Sequence, residues 1–195
     1  MTLLQPRTYR HGSIPEAMRA AARAILEEHG PHAVGMREAA RRIRVSPTAA
    51  YRYYPGKEDL LAAVAAEGFQ ELSASMEEAA SGPDPLIALG SAYIEFALRK
   101  RSLFRLMFSP ILANRRKHPE LNKAVSDAFN LIQRVAGAVD EETGQKDAAA
   151  LSAWGLVHGL SALFIDGFLP EAEARSFAER ILARESQKLE GAPAA

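Results

Sequence analysis

The chain has 195 residues, nearly half of them apolar, which is enough for one or two domains around a sizeable core. It has no cysteine, which excludes a disulfide framework and a thiolate metal site, and no run suited to a secretory signal or a bilayer span, so the reading is a cytoplasmic protein without a membrane partner. Its 24 Lys+Arg and 24 Asp+Glu cancel overall, yet residues 1–57 hold ten basic and four acidic side chains (+6), leaving fourteen and twenty (−6) for 58–195; a basic head on an acidic body points to a polyanion at the head.

Abundant alanine and the lack of Val/Ile alternation predict an all-α fold of about nine helices. Ser13-Ile14-Pro15-Glu16 reads as a capping box opening a helix to about His29, with Ala17, Ala21, Ala24, Ile25 and either Ala20 or Leu26 turned inward and Gly30-Pro31 ending it. A short helix follows over 36–43. Ser46 caps a third, which starts at Pro47 and runs to about Tyr53. Two short helices separated by about three residues have helix-turn-helix spacing.

From Lys57 the elements lengthen. One helix is expected over 57–79, with Leu60, Leu61, Val64, Phe69, Leu72 and Met76 as its apolar stripe. A Ser-Gly-Pro-Asp-Pro break precedes a helix over 85–100 carrying Leu86, Leu89, Tyr93, Phe96 and Ala97. The apolar RSLFRLMFSP makes a short helix ended by Pro110, and NRRKHPE is a polar loop. Helices are expected over 119–139, 146–168 and 171–189, with a frayed tail. The expected division is 1–56 for the reading head and 57–195 for the body.

The head concentrates chemistry in VSPTAAYRYYPGKEDLL, residues 45–61, where three of the five tyrosines fall within four positions. The N-terminal residues of a recognition helix reach base edges, while flanking Tyr, Lys and Ser hold phosphates. Lys57 occupies the first turn of the long helix, where the macrodipole disfavours a cation by about 0.3–1 kcal/mol. A phosphate docked at that helix entrance would remove the conflict.

The string GMREAARRIRVSPTAAYRYYPGKEDLL, residues 35–61, resembles the DNA-binding signature of the TetR family of bacterial transcriptional regulators, through Ala39-Ala40, Val45-Ser46, Tyr51, Tyr54, Lys57-Glu58 and Leu60-Leu61. The resemblance implies phosphate contacts for Tyr51, Tyr53 and Lys57, a major-groove face at Pro47, Thr48 and Ala49, and a DNA contact from Arg37. Ser46 and Arg52 flank that surface. The chain departs from the pattern with Gly35 at the second helix's cap and Arg44 in the turn where glycine is common. Arg44 therefore implies a turn that tolerates a side chain, or a phosphate contact of its own.

A reading head gains palindrome recognition when two copies are fixed by symmetry, so the body should form a homodimer. In SAWGLVHGLSALFIDG, Gly155 and Gly159 are spaced i, i+4 with Ala162 on the same side; each mid-helix glycine costs roughly 1 kcal/mol against alanine, which suggests the close approach of another helix. The Trp154-x-x-x-His158-Gly159 string is similar to a C-terminal domain seen in one branch of TetR-like regulators, as are YRHG (9–12) and LFRLMF (103–108). His158 reads as a core or interface histidine, with a ligand contact as the alternative.

The resemblance also implies an effector pocket in the body, with Phe69, Leu72, Met76, Tyr93, Phe96, Phe104, Met107, Phe108, Phe129, Trp154 and His158 as candidate walls and a small, apolar or aromatic molecule as the effector. No zinc-protease motif, phosphate loop or nucleophile elbow occurs and the five histidines are scattered, so the expectation is no enzyme, no cofactor and no metal. The competing reading is a helical partner-binding or non-specific DNA-binding protein without an effector.

Overall fold

The computed structural model describes residues 14–136 and 148–190. Among them are nine α-helices and no strand: α1 (Ile14–His29), α2 (Met36–Arg42), α3 (Pro47–Tyr51), α4 (Lys57–Ala79), α5 (Pro85–Arg99), α6 (Arg101–Met107), α7 (Pro119–Ala136), α8 (Ala148–Ile165) and α9 (Glu171–Glu190). Single 3-10 turns at Pro110–Leu112 and Arg115–Lys117 lie between α6 and α7. Ser13, the YRHG segment, Val139, the approaches to α8 and the C-terminal tail lie outside the described residues.

The first three helices pack alanines against a few larger apolar side chains. α1 buries Ile14, Met18, Ala21, Ala22, Ile25 and Leu26. Of the two alternatives, Leu26 rather than Ala20 turns inward, while Ala24 faces outward instead of inward, because the buried stripe runs through the larger Met18 and through Ala22. α2 starts from an extended Gly35 that offers no side-chain cap, and buries Met36, Ala39 and Ala40.

The turn between α2 and α3 is where this chain departs from the resemblance. Arg44 has φ 58°, the only non-glycine residue with positive φ among those described. Its N–H donates to the Arg41 carbonyl (3.1 Å) and the Val45 N–H donates to the Ala40 carbonyl (3.0 Å), closing α2 in the left-handed manner glycine usually serves. A side chain there costs about 1–2 kcal/mol, while glycine's extra freedom in the unfolded chain returns about 0.5–1 of it. Arg44→Gly is therefore expected to raise stability by about 0.5–1 kcal/mol in urea melts; a destabilised variant would mean that the Arg44 side chain contributes packing that outweighs its backbone strain.

α3 begins as the sequence predicts. Ser46 Oγ accepts from the Ala49 N–H at 3.2 Å, with Pro47 in the first position. It ends at Tyr51 rather than Tyr53, since the Arg52 and Tyr53 amides donate three residues back, to Ala49 (3.3 Å) and Ala50 (3.1 Å), and tighten the last turn.

α4 is the axis of the molecule, with α1 packed on one side and α5, α6 and α7 on others. At Gly68 a Cβ would stand 2.7 Å from the Met107 sulfur, so α4 and α6 approach at a separation that only glycine allows without repacking. Ion pairs tie the first helix to this axis: Arg19 to Glu67, and Arg23 to Glu71. Glu71 also holds Lys100, the residue between α5 and α6. Hydrogen bonds from Arg23 and then Lys100 hold the Glu71 carboxyl down at about 2. α5 packs against α8 and α9, which close the far side of the body.

Candidate nucleic-acid interface and aromatic centre

The tyrosine cluster divides into two jobs. Tyr51 is 45% exposed and Tyr53 36%, whereas Tyr54 is 7% exposed and belongs to the core. The helix has ended by then, so adjacent phenols point to opposite sides. The Tyr54 hydroxyl accepts from Arg19 Nη1 at 3.0 Å and donates to the Pro15 carbonyl at 3.2 Å, holding the start of α1 against the segment that follows α3. Burial pushes its pKa up. Tyr54→Phe removes the partner of a guanidinium and of a carbonyl and is expected to cost about 1–3 kcal/mol, while Tyr51→Phe should stay within about 0.5 kcal/mol of the wild type. Urea melts of the two variants check the difference, and equal stabilities would contradict it.

The surface around α3 is basic because of which arginines are paired. Arg41 donates to Glu38 from Nε (2.8 Å) and Nη2 (2.7 Å), and Arg42 is shared between Glu28 and Glu38. The Arg41 hydrogen bonds are the main reason that the Glu38 carboxyl sits at about 2. Arg37, Arg44 and Arg52 are exposed, and no carboxylate pairs with them among the described residues. Ser46, Pro47 and Thr48 are exposed beside them, Ala49 is half-buried and Ala50 is buried. The structure thus brings the candidate residues Arg37, Arg44, Ser46, Pro47, Thr48, Tyr51, Arg52 and Tyr53 to the surface of two consecutive short helices and their turn.

Lys57 has a partner the sequence did not reveal. Its Nζ donates to the His32 carbonyl at 3.1 Å, across from the loop between α1 and α2. That bond places the ammonium beside the opening of α4, whose cap is the extended Gly56 with no side-chain acceptor. One N–H of the ammonium is used, and two remain for an incoming oxygen.

In the body, the predicted pocket residues form an aromatic centre. Phe108 stacks near His158 (ring centroids 4.4 Å), Phe104 (4.9 Å) and Phe69 (5.3 Å), and Phe129 packs on Trp154 (5.5 Å). Tyr93 is its polar pivot. Trp154 Nε1–H donates to the Tyr93 oxygen at 3.2 Å, and the Tyr93 oxygen lies 3.0 Å from His158 Nδ1. Tyr93 is 1% exposed, so its O–H needs an acceptor, which assigns the proton to the hydroxyl and makes Nδ1 the acceptor of a neutral imidazole. Burial lowers the His158 pKa and raises that of Tyr93, both consistent with the neutral forms.

This centre is filled rather than hollow. The space enclosed by Phe69, Leu72, Met76, Phe108, Phe129 and their neighbours amounts to about 20 Å³, roughly one water. Phe96, Phe104, Met107 and His158 do not border that space; Phe96 lies buried beneath Lys100, whose Nζ stands 5.3 Å from its ring. The sequence marks these residues as large and apolar, and that property is the same for the wall of a pocket as for a closed core.

The outer face of α8 carries the glycines. Gly155 and Gly159 are exposed, and a Cβ on either would meet nothing within 4 Å. Leu151 and Leu163 are exposed on the same helix, Ala162 is half-buried, and Phe168 beyond it is 76% exposed. No described helix is long and apolar enough to cross a membrane.

Residues 19–64 match the family of bacterial regulatory proteins of the tetR type, and residues 86–184 match the tetracyclin repressor-like C-terminal domain. No curated protein matches the chain. Among solved structures, a protein of unknown function from Rhodococcus sp. RHA1 superposes with a TM-score of 0.75 at 28% identity, over 93% of this chain and 98% of that one. A tetR-family regulatory protein from Rhodococcus RHA1 gives 0.63 at 23% identity (90% and 96%), and a putative tetR-family transcription regulator from Shewanella sp. PV-4 gives 0.62 at 18% (87% and 95%); these two show the shared fold. With both halves matched in order and the all-helical architecture to go with them, the chain belongs to the TetR family of transcriptional regulators.

Proposed function

We propose that this protein is a repressor of the branch marked by the Trp154-x-x-x-His158-Gly159 string, that it binds a palindromic operator as a homodimer, and that a small apolar molecule in the body releases it. The observation that carries the DNA reading is a set of arginines with no carboxylate partner among the described residues, Arg37, Arg44 and Arg52, around exposed Tyr51 and Tyr53, while Arg19, Arg23, Arg41 and Arg42 are ion-paired. Cations left unpaired on one face beside small helix-forming side chains suit a duplex: the charges meet phosphates, and Thr48 and Ala49 come close enough to reach base edges. The dimer reading rests on the exposed glycine stripe of α8. Release is a population shift: a ligand favouring splayed heads by about 3 kcal/mol would weaken operator binding roughly a hundredfold.

Binding of the purified protein to duplexes from its own promoter region, titrated with salt, tests this reading. The expected result is one preferred palindrome and a steep fall in affinity with salt. Lys57→Ala is expected to weaken specific and non-specific DNA alike and to flatten the logarithmic salt slope by about one unit. An unchanged slope would mean that the His32 carbonyl is the only oxygen Lys57 serves. Failure to bind any duplex at modest ionic strength would favour a partner-binding protein instead.

A further inference from the structure

Since the aromatic centre is closed, an effector needs another chamber, and one adjoins it across Trp154. A cavity of about 280 Å³ lies between α5, α7, α8 and α9, bordered by Leu86 and Leu89, Ile132, Ala153 and Leu156, with one face of the Trp154 indole as its partition. That volume is at the lower edge of small-molecule sites. Its floor is a pinch point: at Gly90 a Cβ would stand 2.9 Å from Leu182 and 3.2 Å from Val157, so α5, α8 and α9 meet there as closely as they can.

The lining decides the chemistry. Among the described residues, none of the bordering side chains is charged, and the only hydroxyl is that of Ser152. The indole N–H is already committed to Tyr93, on the other side of the partition. A ligand charge buried here would have no counter-charge and would keep a desolvation cost of several kcal/mol. The contrast is a hollow of about 300 Å³ between α5 and α9, bordered by Glu95, Arg99 and Glu171, where ionic side chains remain in reach of water.

We infer that the chamber beyond Trp154, rather than the aromatic centre, is the ligand site, and that its occupant is an uncharged, mainly hydrocarbon or aromatic molecule with at most one hydrogen-bonding group. This rests on the effector reading above but is tested apart from it. Trp154 is the chain's single tryptophan, so its emission reports on this partition, and variants on either side of it tell the chamber from the aromatic centre.

The experiment titrates the full-length protein with N-phenyl-1-naphthylamine, following quenching of Trp154 emission. Saturable quenching with one probe per chain is expected. 1-Decanol should displace the probe, whereas decanoate and decylammonium should do so at least tenfold less well. Ala153→Leu, which fills the chamber from α8, should weaken probe binding at least tenfold with helix content unchanged by circular dichroism. Leu86→Phe does the same from α5 should the first variant misfold. Val125→Phe, which intrudes on the aromatic centre instead, should bind as the wild type does.

No saturable quenching by the wild type would overturn the inference. Displacement by the charged decyl compounds on a par with decanol, or wild-type affinity in a folded chamber variant, would overturn it as well. Operator binding is measured separately. A probe that binds as described but leaves operator affinity unchanged supports the site and sinks the effector-release reading; operator binding with no probe binding sinks the site and keeps the DNA reading.

Discussion

Gly159→Leu is expected to yield a folded, helical monomer where the wild type sediments as a dimer. Inside one chain the substitution meets no obstacle: a Cβ at Gly159 has open space, and the residue is exposed in the middle of α8. Replacing a mid-helix glycine should even favour the isolated helix by up to about 1 kcal/mol. In the proposed dimer the damage falls between chains, because a leucine side chain would part the helices that the Gly155–Gly159 stripe is proposed to bring together. Losing the second head removes bivalency, so affinity for the full palindrome should fall by about 10²- to 10⁴-fold while a single half-site is bound as before. Sedimentation velocity and circular dichroism read the two halves of the claim. A variant that remains dimeric would place the interface elsewhere, with the exposed glycines left unexplained.

Tyr93→Phe is expected to cost about 2–3 kcal/mol, despite removing a single oxygen. That oxygen serves two groups at once, accepting from Trp154 Nε1 at 3.2 Å and donating to His158 Nδ1 at 3.0 Å. Each orphaned buried partner costs about 1–3 kcal/mol, and both rings are only half-buried, which keeps the sum toward the low end. A chain of this length should then melt about 4–12 °C lower. The pH dependence carries a sign. Burial holds His158 below its unfolded pKa of about 6.5, so the neutral fold has its full stability above that value and loses some as pH falls below it. A variant as stable as the wild type would mean that water replaces the hydroxyl at both partners.

Helix boundaries were legible at most prolines, glycines and serines that punctuate the chain, with the exception of α8, which stops at Ile165 ahead of Gly167 (φ 77°) rather than at 168. α4 runs over Lys57–Ala79 as predicted, and Ser46-Pro47 opens α3 with the expected cap. Periodicity failed where a helix was about to stop. Tyr51, Tyr53 and Tyr54 look alike in the sequence, and the tightened turn after Tyr51 is what sends one of them inward. The α1 stripe was right at Ala21, Ile25 and Leu26 but wrong at Ala24, because alanines populate both sides of that helix. The Trp154–Tyr93–His158 contact joins residues 61 and 65 positions apart on different helices, which no local pattern encodes. The same blindness covers the chamber, whose leucines and alanines differ from the core's only in what fails to fill the space between them.

One carboxylate, that of Glu71, is shared by the first helix, the central axis and the α5–α6 junction. The Glu71 side chain is 34% exposed, so its ion pairs are screened by water and re-form as α1 tilts. A shift at the α5–α6 junction is then handed to the first helix through one shared charge, and removing that charge with Glu71→Gln would let the two ends move independently.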